Sequence, residues 1–205
     1  MKIVLATFNE GKVREIKEIV KEVLGDLKVE FLPLSNFTSE PPEESGADYR
    51  ENAYIKAFYA AKVSGLPAVA EDSGLEVKAL GGRPGVHSAR YGSNDEERIA
   101  RLLMELDEMG ARDLMAREAR FVSVVCYLEP GGSPYFFEGE VKGYIAHEPS
   151  GDSGFGYDPV FLYEYELGKL KTFAEIPEVK RKVSHRKKAW EKFARFLKKK
   201  IEKEK

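Results

Sequence analysis

Glutamine is missing from this chain and asparagine is scarce, whereas Lys, Arg and Glu are abundant. Hyperthermophile proteins show that bias, so the composition predicts a melting temperature above ordinary mesophilic values. The single cysteine, Cys126, excludes an internal disulfide and a cysteine zinc cluster. It stands inside the apolar run RFVSVVCYL and reads as buried core. No apolar run approaches the ~20 residues that span a bilayer. The first residues pass into a strand pattern, without the charged-then-apolar layout of a signal peptide. A cytoplasmic protein with no membrane partner is therefore expected. An excess of either charge is also lacking. The net charge of −2 argues against broad binding of polymeric nucleic acid, and the basic tail KKKIEKEK reads as a solvated helix end.

What is present is a globular composition: 42% hydrophobic and 33% charged residues in a chain of 205. That length predicts a single domain over 1–205, as one body or two closely packed lobes, with no linker long enough for an independent second domain. Residues 2–7 read as a buried strand. From Gly11 to Leu24, Val13, Ile16, Ile19, Val20 and Val23 mark one helical face. Residues 28–34 read as a second strand, and a helix is expected from about Asp48 to Ser64. PAVAEDSGLEV reads as a strand that ends at an acidic turn and resumes as another. ALGGRPGVHSARYG has too much Gly and Pro for regular structure. Ser93 with Glu96 suggests a capping box ahead of the stripe Ile99, Leu102, Leu103, Leu106. Two strands, 118–129 and 134–146, flank PGGSP, a hairpin signal. A short strand, VFLY, leads into a mixed segment. Ser184 then begins a helix with Trp190, Phe193, Leu197 and Ile201 on one face. Strands alternating with helices early and a hairpin late predict an α/β fold with a mixed sheet.

Four stretches carry candidate chemistry. In KIVLATFNEGKVREI a strand passes into a helix through Thr7, Asn9, Gly11 and Lys12. The spacing is not that of a Walker P-loop. Free N–H groups and the helix dipole at such a turn attract an anion, although a capped helix with Lys12 in solvent has the same pattern. In AEDSGLEV an apolar strand delivers Glu71 and Asp72, then Ser73-Gly74; carboxylates so placed suit a hard cation, and PEESG adds Glu43 and Glu44. In SGFGYDPVF, Gly154 and Gly156 let backbone approach a ligand, and aromatic rings stack on bases for ~1–3 kcal/mol; a loop plugging the core reads the same way. In EVKRKVSHRKKA, Lys180, His185 and Arg186 gather at a helix start, where basic residues ask for an anion, unless they merely belong to a basic terminal helix. Together these describe a nucleotide with several phosphates and a magnesium ion.

The chain resembles the inosine triphosphate pyrophosphatase family, the Ham1-like non-canonical purine NTP pyrophosphatases. LATFNEGK, ENAYIKA, AEDSGLEV, GGRPGVHSARYG, SGFGYDPVF and SHRKKA carry the resemblance, collinear over nearly the whole chain. It implies an elongated mixed sheet flanked by helices, two lobes with a substrate cleft between them, and a homodimer. It also implies hydrolysis of ITP, dITP and XTP to the monophosphate and pyrophosphate with Mg2+, or Mn2+ on the same oxygen ligands. By the same resemblance Thr7, Phe8, Asn9, Glu10, Gly11 and Lys12 would hold the triphosphate. Asp72 would be the catalytic carboxylate and a metal ligand, with Glu44 the second ligand. Lys56, Ser73 and Lys180 would bind substrate. Phe155, Gly156, Tyr157 and Asp158 would border the base, which His185 and Arg186 would help to read. Arg90 is a further candidate. Many relatives have two aspartates where this chain has Glu71-Asp72, which leaves the part played by Glu71 open. The alternatives are a Maf-like pyrophosphatase of modified or pyrimidine nucleotides, a non-enzymatic Mg-NTP sensor, or an RNA-binding module.

Overall fold

The computed structural model describes residues 1–203, with Glu10 through its backbone alone. Glu204 and Lys205, at the end of the basic tail, lie outside the described residues, as does the side chain of Glu10.

Seven strands form one mixed sheet: β1 (Lys2–Leu5), β2 (Glu30–Pro33), β3 (Ala68–Val77), β4 (Glu118–Leu128), β5 (Tyr135–Ile145), β6 (Phe161–Glu166) and β7 (Lys169–Thr172). Their order is β2-β1-β3-β4-β5-β6-β7. β1 runs parallel to β2, with Lys2 opposite Glu30, and parallel to β3, with Val4 opposite Ala68. β5 and β6 are antiparallel, as are β6 and β7. Among the described residues five α-helices accompany them: α1 (Glu10–Leu24), α2 (Tyr49–Ser64), α3 (Asp95–Glu108), α4 (Pro177–Val183) and α5 (His185–Lys203). The mixed α/β sheet expected from the sequence is thus present. Among the described residues no helix is long and apolar enough to cross a membrane.

The chain divides into two compact units. The first comprises Met1–Asp72, Ser123–Gly139 and Arg186–Lys205. Its core joins Ile3, Leu5 and Val69 from the strands, Ile16, Ile19 and Val20 from α1, and Trp190, Phe193 and Leu197 from α5. Odd-numbered strand residues meet α1 and α5, as a two-residue side-chain period requires. α2 packs on β1 through a face of small residues, Ala53, Ala57, Ala60 and Ala61, all buried. The second unit comprises Ser73–Val122 and Glu140–His185, with a core that includes Leu75, Val77, Leu102, Leu106, Val141, Phe161 and Phe173. Within it the fully buried Arg117 is satisfied by backbone, donating to the carbonyls of Ala111, Ile145 and Ala146. Buried Cys126 is core, as its apolar surroundings imply.

Two local readings need correction. PAVAEDSGLEV does not break at an acidic turn: β3 runs unbroken for 10 residues through Glu71, Asp72, Ser73 and Gly74. The polar side chains find partners, described below, so the backbone stays in the ladder between β1 and β4. The cap of α3 is shifted by one residue. Asn94 is the N-cap, its Oδ1 accepting from the Glu97 N–H, while Glu97 reaches back to Ser93. The segment after VFLY contains a further hairpin strand, β7, and the short helix α4. The glycine-rich 78–90 stretch forms only 3-10 turns, Lys78–Leu80 and Gly85–Arg90.

Candidate active site

Two clusters of predicted site residues form, one within each unit. The first is built on β3. Alternation along a strand sends Glu71 and Asp72 to opposite faces, and their surroundings differ accordingly. Arg186 Nε donates to both Glu71 oxygens, at 3.1 and 2.9 Å, and Trp190 Nε1 donates to Oε2 at 2.8 Å. Arg186 Nη1 donates to Glu15 of α1 at 2.6 Å, and Lys12 Nζ lies 4.0 Å from Glu71. Burial works against the Glu71 carboxylate, but Arg186 and Lys12, with the Arg186 and Trp190 hydrogen bonds, hold it well below the usual carboxylate range. The anion sought by the basic run at α5 is, for Arg186, the protein's own Glu71 and Glu15. Lys12 is held below its ordinary value chiefly by burial, which the attraction of Glu71 does not overcome.

Asp72 turns towards α2. Lys56 Nζ donates to Asp72 Oδ1 at 2.8 Å and to Glu44 Oε1 at 2.9 Å, so two carboxylates share one ammonium. Burial pushes Asp72 up; Lys56 offsets this only in part, and Glu44 adds to the rise. Burial disfavours the Lys56 ammonium, but Asp72 and Glu44 outweigh it and hold the amine above its ordinary value. Glu44 is half-buried and turned to Lys56, whereas Glu43 is exposed. One turn before Lys56, the fully buried Asn52 donates through Nδ2 to Asp72 Oδ2 at 3.4 Å and accepts through Oδ1 from the Gly46 N–H at 2.8 Å.

The opening turn is a cap. The Asn9 Oδ1 accepts from the Lys12 N–H at 2.9 Å, and the Thr7 hydroxyl oxygen accepts from the Asn9 N–H at 3.1 Å. A Cβ on Gly11 would crowd Asn9 Oδ1 at 3.2 Å. The cap engages Oδ1 of Asn9, not its Nδ2 donors, and Phe8 is exposed.

The second cluster is the loop 151–158. Gly154 has φ +84°, and a Cβ there would sit 2.1 Å from Asp158 Oδ2, so the glycine is needed twice over. The buried Asp158 carboxylate accepts from the Phe155 N–H at 3.0 Å and from Lys180 Nζ at 2.6 Å. Lys180 Nζ also lies 4.7 Å from the Phe155 ring centroid, a cation–π contact. Phe155 keeps 38% of its surface exposed. Tyr157 is instead an anchor: it is buried and donates to the Ser88 carbonyl at 3.0 Å, and burial pushes its phenol up. Gly156 N–H donates to Asp95 Oδ2 at 2.7 Å. The His185 ring stacks on Phe121 at 4.8 Å. Ser73 is half-buried and Arg90 exposed. Lys180, His185 and Arg186 make different contacts. Lys180 belongs to α4 and Asp158, His185 to the second unit, and Arg186 to the first.

The sequence reading assigned no role to Asn52, Glu15, Ser88 or Asp95. Asn52 left a signal: asparagine is a poor helix-interior residue, and it stands one turn from Lys56 on the same face.

The Ham1 family model covers residues 3–196 of this chain. The chain is 50% identical over 192 residues to the dITP/XTP pyrophosphatase of Thermus thermophilus, covering 92% of this chain and 88% of that one. It is 43% identical over 203 residues to the dITP/XTP pyrophosphatase of Elusimicrobium minutum, covering 97% and 100%. The solved structure of a HAM1 protein from Coxiella burnetii superposes with a TM-score of 0.85 at 40% identity, covering 97% and 99%.

Proposed function

The chain belongs to the Ham1 family, and we propose that it hydrolyses non-canonical purine nucleoside triphosphates, dITP, XTP and ITP, to the monophosphate and pyrophosphate. The observation that carries the chemistry is the pair of carboxylates, Glu44 and Asp72, converging on one ammonium, Lys56. The substrate class follows the names of its relatives, which favour this reading over the Maf-like alternative. We further read the enzyme as a cytoplasmic homodimer acting on the nucleotide pool.

A magnesium or manganese ion suits Glu44 and Asp72. Both are hard oxygen donors, and Mg2+ is usually held by one or two carboxylates plus substrate phosphates. Among the described residues no group of three or more His, Cys, Asp or Glu side chains is placed to hold a metal ion. When bound, the ion would neutralise phosphate oxygens and acidify a coordinated water. The other tasks fall to side chains. Cleavage to a monophosphate requires attack on the α-phosphorus, and the barrier is largely electrostatic and positional. Asp72, its carboxyl raised by burial, orients the attacking water or takes its proton. Lys12 and Lys56 offset charge on the departing pyrophosphate, and the capped turn from Thr7 to Lys12 cradles it. Arg186 keeps Glu71 ionised.

In the second unit, the exposed Phe155 ring stacks on the base, with Gly156, Tyr157 and Asp158 setting the loop and Lys180 fixed beside it. Hypoxanthine and xanthine present an acceptor oxygen at position 6 where adenine presents a donor. Fixed donors reject adenine by ~10⁴ when they are left unpaired.

Phosphorus NMR of the products tests the reading. ITP and XTP give the monophosphate plus pyrophosphate with Mg2+, while ATP and GTP stay largely intact. Release of orthophosphate with a diphosphate would contradict it.

A further inference from the structure

Glu44 is on a loop, PEESGA, that has no secondary structure of its own, yet its carboxylate must stand beside Asp72 for the two to share a cation. The start of α2 is capped by Asp48 and holds that loop through two side chains, Glu51 and Asn52. The Asp48 N-cap accepts from the Glu51 N–H at 2.8 Å. Glu51 reaches back to accept from the Ala47 N–H at 2.7 Å. Asn52 accepts from the Gly46 N–H at 2.8 Å. The first two are an ordinary capping box displaced by one residue. The third is different, because the same Asn52 amide also faces Asp72 through Nδ2. Asn52 and Lys56, four apart on one helical face, thus make two parallel bridges between the loop and β3. One runs to backbone at Gly46, the other to the Glu44 side chain.

The approach at Gly46 is close. A Cβ there would meet Asn52 Oδ1 at 2.7 Å, Glu51 Cβ at 2.7 Å and the Asn52 backbone nitrogen at 2.8 Å. Two of these atoms are backbone or Cβ and cannot swing aside, so any other residue displaces the loop. Asn52 itself is fully buried. A primary amide supplies an acceptor to one side and a donor to the other. An aspartate would keep the acceptor, lose the donor and bring a third carboxylate near Asp72. Alanine would lose both bonds and leave the Gly46 N–H without its acceptor.

We propose that Asn52 and Gly46 are positioning residues that set the placement of Glu44 relative to Asp72, and thereby the affinity for the divalent cation. This rests on the reading of Glu44 and Asp72 as cation ligands. Groups that orient metal ligands typically change metal affinity or activity by about 10–100-fold when removed.

The test uses Asn52→Ala and Gly46→Ala, each studied below its own melting temperature, with Asn52→Asp as the conservative variant. Mn2+ alone is titrated by water-proton relaxation, and amide hydrogen exchange is followed over residues 43–47. The Mg2+ concentration for half-maximal pyrophosphate release is measured alongside. The expected result is a Mn2+ dissociation constant about 10–100-fold higher in both alanine variants. The Mg2+ requirement should rise in parallel, and exchange at 43–47 should be faster. Asn52→Asp, which retains the acceptor, should retain the exchange protection of Gly46. Faster loop exchange with unchanged Mn2+ binding would overturn the proposal and leave Asn52 as a loop anchor alone. Unchanged exchange would overturn it as well. If the wild-type chain released no pyrophosphate from ITP or XTP yet lost Mn2+ affinity on Asn52→Ala, the positioning role would stand and the reaction assignment would fall.

Discussion

Glu71 and Asp72 are neighbours on one strand, and both are buried, yet their surroundings are opposites. On the Glu71 side two carboxylates, Glu71 and Glu15, meet the guanidinium of Arg186 directly, with Lys12 nearby and the Trp190 indole completing the bonds. Charge balances there, and the buried ions are paired and hydrogen-bonded, so removing one partner would strand an uncompensated buried charge. On the Asp72 side two carboxylates share one ammonium within hydrogen-bond reach. Positive charge there is deficient, and burial holds the Asp72 carboxyl above its ordinary value. The first arrangement is what a fold uses to hold elements together. The second is what a site uses to attract a cation and handle a proton.

The largest expected effect breaks the second side. Asp72→Asn should lower pyrophosphate release by about 10²–10⁴-fold, the range of positioned acid–base groups, while nucleotide binding and melting temperature persist. Steady-state kinetics and a thermal melt check both halves. Next comes the first side. Glu71→Gln leaves the buried Arg186 without its main counter-charge and should destabilise the fold by about 3–5 kcal/mol, measured by chemical denaturation. A Glu71→Gln, Arg186→Met double variant should recover part of that loss.

A pH series sharpens the same contrast. The folded state depresses the Glu71 carboxyl below its unfolded value of 4.5. Its stabilisation is therefore fully present above that value and is lost as pH falls below it towards the folded value. The melting temperature of the wild-type chain should fall more steeply below about pH 4.5 than that of Glu71→Gln. Equal slopes would mean that the Arg186 pair does not hold the carboxyl down. The smallest effect is a control on the loop. Exposed Glu43→Gln should change stability by no more than about 0.5 kcal/mol and leave the Mg2+ requirement unaltered, whereas Glu44→Gln should raise that requirement.

The strand and helix framework was largely legible, because periodicity in α1, α3 and α5 and the PGGSP hairpin are local signals. β3 was misread at its centre for a physical reason. Glu-Asp-Ser-Gly reads as a turn when nothing is known of its partners, and Arg186 lies 115 residues away in the chain. The same distance hid the part played by Glu71. The contact of Arg186 with Glu15, 171 residues apart, is equally invisible to spacing. Glu44 was legible as a candidate from PEESG and Lys56 by resemblance, but their shared geometry with Asp72 was not. Asn52 and Lys56 stand four apart on one helical face in the sequence, but nothing local shows that this asparagine is buried.

The most direct test of the account compares Glu71→Gln with Asp72→Asn by phosphorus NMR. Each is given ITP and saturating Mg2+ at a temperature where both are folded. Continued formation of monophosphate and pyrophosphate by Glu71→Gln, with near-complete loss in Asp72→Asn, is the expected result. Turnover that survives Asp72→Asn but disappears in folded Glu71→Gln would contradict it, and would move the chemistry to the other face of the strand.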